Sequence, residues 1–378
     1  MIAFFSEKGN THSVKMGCQD LRFLFFPIIM VGILRKGAWP LERRLSSYTG
    51  CLLGLAAGDG LGHGPETENG FLPVSAYTQM AAYACNGLLL GLTRGQLSGA
   101  MAPPVRYIAM ALGEWARLQL WRQEEPVQCW ISRSDRMDCR RCSEPGMLDV
   151  LTAGELGTME DHDRSLGGPG ALMTAVAVGL FYDPERLPRK ELQRLGAEAA
   201  ALTHGDPSAF LSGAALAHII SRIVWDGEQE LERLIWEAGI VLRRRFGREY
   251  HQARQVRQTL KKARALARSK KVGAEEALAQ LGHDTAEQVL AGALYCCLTQ
   301  PEPAETAARW CPAGAAVAGA IRGALRGEES IPGQRREEIE CESVLRELAE
   351  DMFRGCPMML GSRVFDIEWD AKYVSPEL

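Results

Sequence analysis

From Tyr48 onward, apolar residues recur mainly at helical spacing, and the alternating apolar and polar runs that would mark strands are scarce. That periodicity points to an all-α fold. It predicts helices over roughly residues 47–58, 76–92, 105–123, 171–181, 189–203, 207–225, 227–245, 251–268, 273–281, 284–299, 303–325 and 335–353. Turn signals separate them at Gly205 to Pro207, at Pro301 with Pro303, and at Ile331, Pro332 and Gly333. Proline cannot continue a helix, and glycine tolerates the geometry of a helix end. With 378 residues and 46% hydrophobic content, the chain can bury a large core. The expected organisation is one compact helical domain over 46–355, an N-terminal extension over 1–45 and a C-terminal tail over 356–378.

Charge argues against a polyanionic partner. The 43 basic and 47 acidic residues nearly cancel, so no overall field draws the chain to nucleic acid or to an anionic membrane. The basic stretch from Arg243 to Lys271 has only Phe246 and Tyr250 as aromatics and is interrupted by Glu249. It therefore lacks the stacking composition of single-strand binders and reads as a solvated helix face. Eleven scattered cysteines fit reduced thiols and a cytoplasmic location. Cys296 and Cys297 read as core, while Cys139 and Cys142, with no second pair or nearby histidine, read as part of a solvated loop from Ser132 to Glu144. The apolar run from Phe23 to Leu34 is too short to span a bilayer, and Pro27 and the absence of a small-residue cleavage site argue against a secretion signal. Residues 1–45 are expected to be a dispensable extension or the product of an upstream start codon, with Met30 a candidate start.

Four motifs then appear in order. The segment from Gly50 to Gly62, GCLLGLAAGDGLG, is dense in glycine, which lets backbones approach closely, and it is followed by Gly64, Pro65 and Glu66. Gly168, Pro169 and Gly170 precede an apolar helix, and Thr203, His204 and Pro207 open the next long one. A small-residue helix from Ala315 leads to Gly327 and then to Ile331 and Pro332. Over about residues 46–335 this series resembles the ADP-ribosylglycohydrolase family, whose opening motif GCLLGLAxGDALGxxxE is matched at Asp59 and Glu66. The resemblance implies an all-α hydrolase fold with a cleft that binds ADP-ribose over two magnesium ions. Family members cleave the bond between ADP-ribose and a modified side chain or a related conjugate. Magnesium takes near-octahedral oxygen ligands, so carboxylates must converge on it from several helices, and helix starts offer N–H groups to the ligand's phosphates.

The chain departs from that family where the metal would be held. Where the family has TDDTxM, this sequence has Ser75, Ala76, Tyr77, Thr78, Gln79 and Met80, so Ala76 and Tyr77 stand at the two aspartates. Where the family has GGDSDT, it has Trp310, Cys311, Pro312, Ala313 and Gly314, so Cys311 and Ala313 replace two more. Thr174 stands where the resemblance places an arginine. Only Thr78 and Glu66 remain of the metal-associated residues, and Glu160, Asp161 and Asp163 read as a solvated loop rather than a substitute site. The resemblance thus implies a pseudoenzyme, which binds ADP-ribose or a related nucleotide through Gly168, Gly170 and His204, has no cofactor and holds Asp59 in a structural role. Two alternatives stand beside it: an active hydrolase with altered chemistry at Glu66 or near Asp161, and an interaction protein whose cleft is filled by Tyr77 and Trp310.

Overall fold

The computed structural model describes the chain from Pro40 to Val374, apart from residues 65–69, 101, 121–126, 135, 138, 142–143, 154–156, 161–165, 185–186, 270 and 359–364. The N-terminal extension up to residue 39, Glu66, Asp161, Asp163 and Cys142 lie outside the described residues. Among those described, the regular structure is helical, and the sole β feature is an isolated bridge between Leu72 and Ile339. The all-α reading holds.

The first helix, α1 (Leu41–His63), runs straight through the glycine-rich segment and stops only at Gly64, whose φ of 101° is open to glycine. It outlasts the helix expected over 47–58 because its glycines are packed against backbone. Gly50, Gly54 and Gly58 lie one turn apart and face Gly323, Gly319 and Ala315 of α13 (Pro312–Arg326). A Cβ built on Gly54 would lie 2.3 Å from the carbonyl oxygen of Gly319. Glycine is a poor helix former in isolation, so here tertiary contact overrides propensity.

The middle of the chain forms α2 (Ala76–Ser98), α3 (Pro104–Gln119), the short α4 (Met147–Thr152), α5 (Ala171–Leu180), α6 (Arg189–Ala201) and α7 (Pro207–Val224). Helix α7 is long and apolar enough to cross a membrane, but it is 94% buried in the fold, against α5 and α6 among others. It is the core helix of the domain. Beyond it come α8 (Leu231–Val241), continued by a wider π-type turn over Leu242–Phe246, then α9 (Gln252–Ser269), α10 (Ala274–Leu281) and α11 (Ala286–Thr299).

Two expected helices are broken. The stretch predicted over 303–325 splits into α12 (Pro303–Ala308) and α13, because Pro312 takes the first helical position and forces Cys311 into extended backbone. The stretch over 335–353 splits into α14 (Gly333–Glu338) and α15 (Glu342–Arg354). There the backbone is diverted to pair with Leu72, which donates to the carbonyl of Glu338 and accepts from the N–H of Glu340. A last short helix, α16 (Ile367–Trp369), buries Trp369 and donates from its indole to Thr93. Helix α4 has no counterpart in the periodicity, since six residues are too few to show one. All nine described cysteines are free thiols, including the buried Cys296.

Candidate functional site

Asp59 lies in the last turns of α1 and is fully buried. Its carboxylate accepts hydrogen bonds from the N–H of Ser75 at 2.8 Å, the Ser75 hydroxyl at 2.7 Å, the N–H of Thr78 at 3.2 Å and the Thr78 hydroxyl at 2.6 Å. Helix starts carry unpaired N–H groups and a partial positive charge, so an anion there is stabilising. Asp59 therefore ties the end of α1 to the start of α2. His63 adds a contact at 3.1 Å, and that hydrogen bond raises its pKa against the opposing effect of burial.

Glu144 forms the second centre and was hidden in the segment read as a solvated loop. That segment is anchored rather than free. The Gln79 amide donates to the carbonyls of Met137 and Cys139, and Gln119 accepts from the N–H of Arg141. Held this way, Glu144 reaches the start of α5, where one oxygen accepts from the N–H of Gly170 at 2.6 Å and from the Tyr77 hydroxyl at 3.1 Å. Its other oxygen meets Nε2 of His204 at 3.1 Å, while Nδ1 of His204 meets the Thr203 hydroxyl at 2.7 Å. Gly168 and Gly170 line this approach, and a Cβ on Gly168 would lie 2.0 Å from a Glu144 oxygen.

Burial raises the pKa of Glu144, but the hydrogen bond and charge of His204, the Gly170 N–H and the Tyr77 hydroxyl outweigh it and leave it below the ordinary range. A lowered folded-state pKa means stability that is present above the unfolded value, about 4.3, and lost as pH falls through the lowered one. Denaturant midpoints followed from about pH 6 to about pH 3 should fall more steeply for the native chain than for Glu144→Gln. Equal slopes would remove Glu144 from the acid response. Burial, with the adjacent Glu144 charge, drives the Tyr77 phenol far above its usual value, so Tyr77 is a neutral donor.

Thr78 and His204 are fully buried with their polar atoms engaged, Ala76 and Ala313 are buried among apolar neighbours, and burial raises the Cys311 thiol. Among the described residues, the fit to a magnesium pair is poor. Several hard oxygens would be needed, and among the described residues no group of three or more His, Cys, Asp or Glu side chains is placed to hold a metal ion. Trp310 packs its ring edge against α11 and α13, where a Cβ on Gly292 or Gly314 would come within 2.1 or 2.5 Å of it. A cavity of about 830 Å3 lies on the α10 and α12 side of Trp310 and is lined by neither Tyr77, Glu144 nor His204.

Residue order could not single out Glu144 among the charged residues from Ser132 onward, because its role depends on Gln79 and Gln119 of distant helices. Asp59 was legible from its motif. Among solved structures, a chain of an ADP-ribosylglycohydrolase-related protein complex shares this fold with a TM-score of 0.54 and 21% identity, over 83% of this chain and 99% of that one. No curated protein matches the sequence. The family model for ADP-ribosylglycohydrolases matches residues 40–359, which takes in both the Asp59 and the Glu144 centres, and the chain belongs to the ADP-ribosylglycohydrolase family.

Proposed function

We propose that this family member is catalytically impaired and binds ADP-ribose or a related nucleotide without the usual two magnesium ions. The observation that carries the reading is the bond from Tyr77 to Glu144, which stands at the start of α5 with Gly170 and His204. Tyr77 occupies a position where the family resemblance expects a metal-binding aspartate, and it satisfies the nearby carboxylate by a neutral hydrogen bond instead. Glu144 in turn takes the N–H of Gly170, the kind of helix-start donor that serves a phosphate. An anionic ligand gains that donor by displacing Glu144. Gly168, Gly170 and His204 are then the ligand-facing residues, and Asp59 and Thr78 hold the scaffold.

Titration calorimetry with ADP-ribose, run with magnesium and with a chelator, tests this. Equal affinity in both is expected, with Glu144→Ala binding about tenfold tighter, or ~1.4 kcal/mol, because a competing negative charge is gone. Binding that requires magnesium would overturn the metal-independent reading. Release of ADP-ribose from a modified arginine, abolished by Glu66→Gln, would restore an active hydrolase. A second reading, an interaction protein with a filled cleft, is favoured by the packed ring of Trp310 and the engaged hydroxyl of Tyr77. It replaces the first if neither the native chain nor Glu144→Ala binds the ligand.

A further inference from the structure

Away from both centres, α8 and α9 enclose a groove of about 430 Å3. Its floor is apolar, with Ile235 and Leu260 almost fully buried, and Trp236 stands at its edge with 55% of its surface exposed. An exposed tryptophan leaves much apolar surface in water, and tryptophan is enriched among the residues that dominate binding energies. The rim is cationic. Arg264 is paired with Glu232, but Arg243, Arg257 and Lys261 have no acidic partner among the described residues, and no acidic side chain lines the groove.

Gly239 hollows the middle of this groove. The glycines of α1 are explained by backbone lying against them, whereas a Cβ on Gly239 would meet only Cγ of Arg257, at 3.9 Å. Internal packing therefore gives no reason for a residue that weakens the helix. Along α8 and into the π-type turn that continues it, the lining positions advance by single turns from Ile235 through Gly239 to Arg243, a span of about 12 Å at about 1.5 Å per residue. That length accepts about two turns of a helix laid between α8 and α9, the geometry of helix-in-groove recognition.

We infer that the groove between α8 and α9 docks an acidic amphipathic helix of a partner protein, with an apolar side chain over Gly239 against Trp236 and carboxylates meeting Arg243, Arg257 and Lys261. Complementary charge fixes the partner's chemistry. A single exposed aromatic and a groove of two turns suit a peptide better than a nucleic-acid strand, which needs successive stacking platforms. The apolar floor of Ile235 and Leu260 is almost fully buried, so a flat bilayer surface would reach only Trp236 at the edge. The inference is independent of what binds near Glu144.

The full chain should be panned against a display library of random 16-residue peptides, and the enriched peptides measured by fluorescence anisotropy. Enrichment of acidic sequences with apolar residues at i and i+3 or i+4 is expected. Their affinity should fall at least tenfold in the double variant Arg257→Glu with Lys261→Glu, and similarly in Gly239→Leu. The second variant guards against misfolding, since leucine is the better helix former and the space over Gly239 is open. No enrichment, enriched peptides without acids, or undiminished binding to Gly239→Leu would each overturn the proposal. So would tighter binding of a 16-nucleotide single strand or of phosphatidylserine vesicles than of any enriched peptide.

Discussion

Asp59→Ala is expected to lower the unfolding free energy by about 4 kcal/mol, among the largest effects a single substitution can have. From Ser75 and Thr78 alone the fully buried carboxylate accepts four hydrogen bonds, two of them from backbone N–H groups. Hydrogen bonds to a charged group contribute about 1.5–3 kcal/mol each, and leaving buried donors unpaired costs about 1–3 kcal/mol apiece, although these amounts do not add fully. Asp59→Asn retains one oxygen acceptor and should lose about half as much. Guanidinium unfolding of the three proteins with a common slope checks the order. An alanine variant within ~1 kcal/mol of the native chain would show that the start of α2 does not depend on Asp59.

Gly323→Ala should be nearly as damaging, by about 3 kcal/mol or more, whereas Gly113→Ala should stabilise the protein by about 0.5–1 kcal/mol. Both exchanges place the same methyl group on a helix and gain the same intrinsic propensity. The difference is the neighbour. A Cβ on Gly323 would lie 1.7 Å from the carbonyl oxygen of Gly50, and backbone cannot swing aside as a side chain can. On Gly113 the nearest atom is the tip of Arg117, at 3.7 Å. Opposite shifts in the thermal midpoint are the expected result. A stabilised Gly323→Ala would mean that α1 and α13 separate at little cost, and a destabilised Gly113→Ala would mean that the methyl group has no room on α3.

These two sites illustrate why the glycine-rich segment was informative. In sequence, the glycines from Gly50 to Gly62 signalled close backbone approach without saying to what. The fold supplies α13, more than 250 positions later, as the opposing surface. Pro312 similarly marked its own consequence, since a proline needs a helix start, yet apolar periodicity on both sides hid the break at Cys311. The break at Ile339 had no local sign, because it is made by pairing with Leu72. A bridge between residues so far apart leaves no trace in a window of neighbours.

By itself, the sequence determined the helical class, the principal helices and the family. Those are properties of residue type and spacing, which survive in a linear reading. Only the tertiary structure decided that Asp59 serves the helix after its own, that Tyr77 donates to Glu144, and that Glu144 stands at the start of α5. It also decided that Gly239 opens onto a cationic groove while Gly54 is closed by backbone. The physical reason is common to all of them. A hydrogen bond or a steric contact depends on distances of a few ångströms between residues that the chain holds far apart, and those distances exist only once the helices have packed.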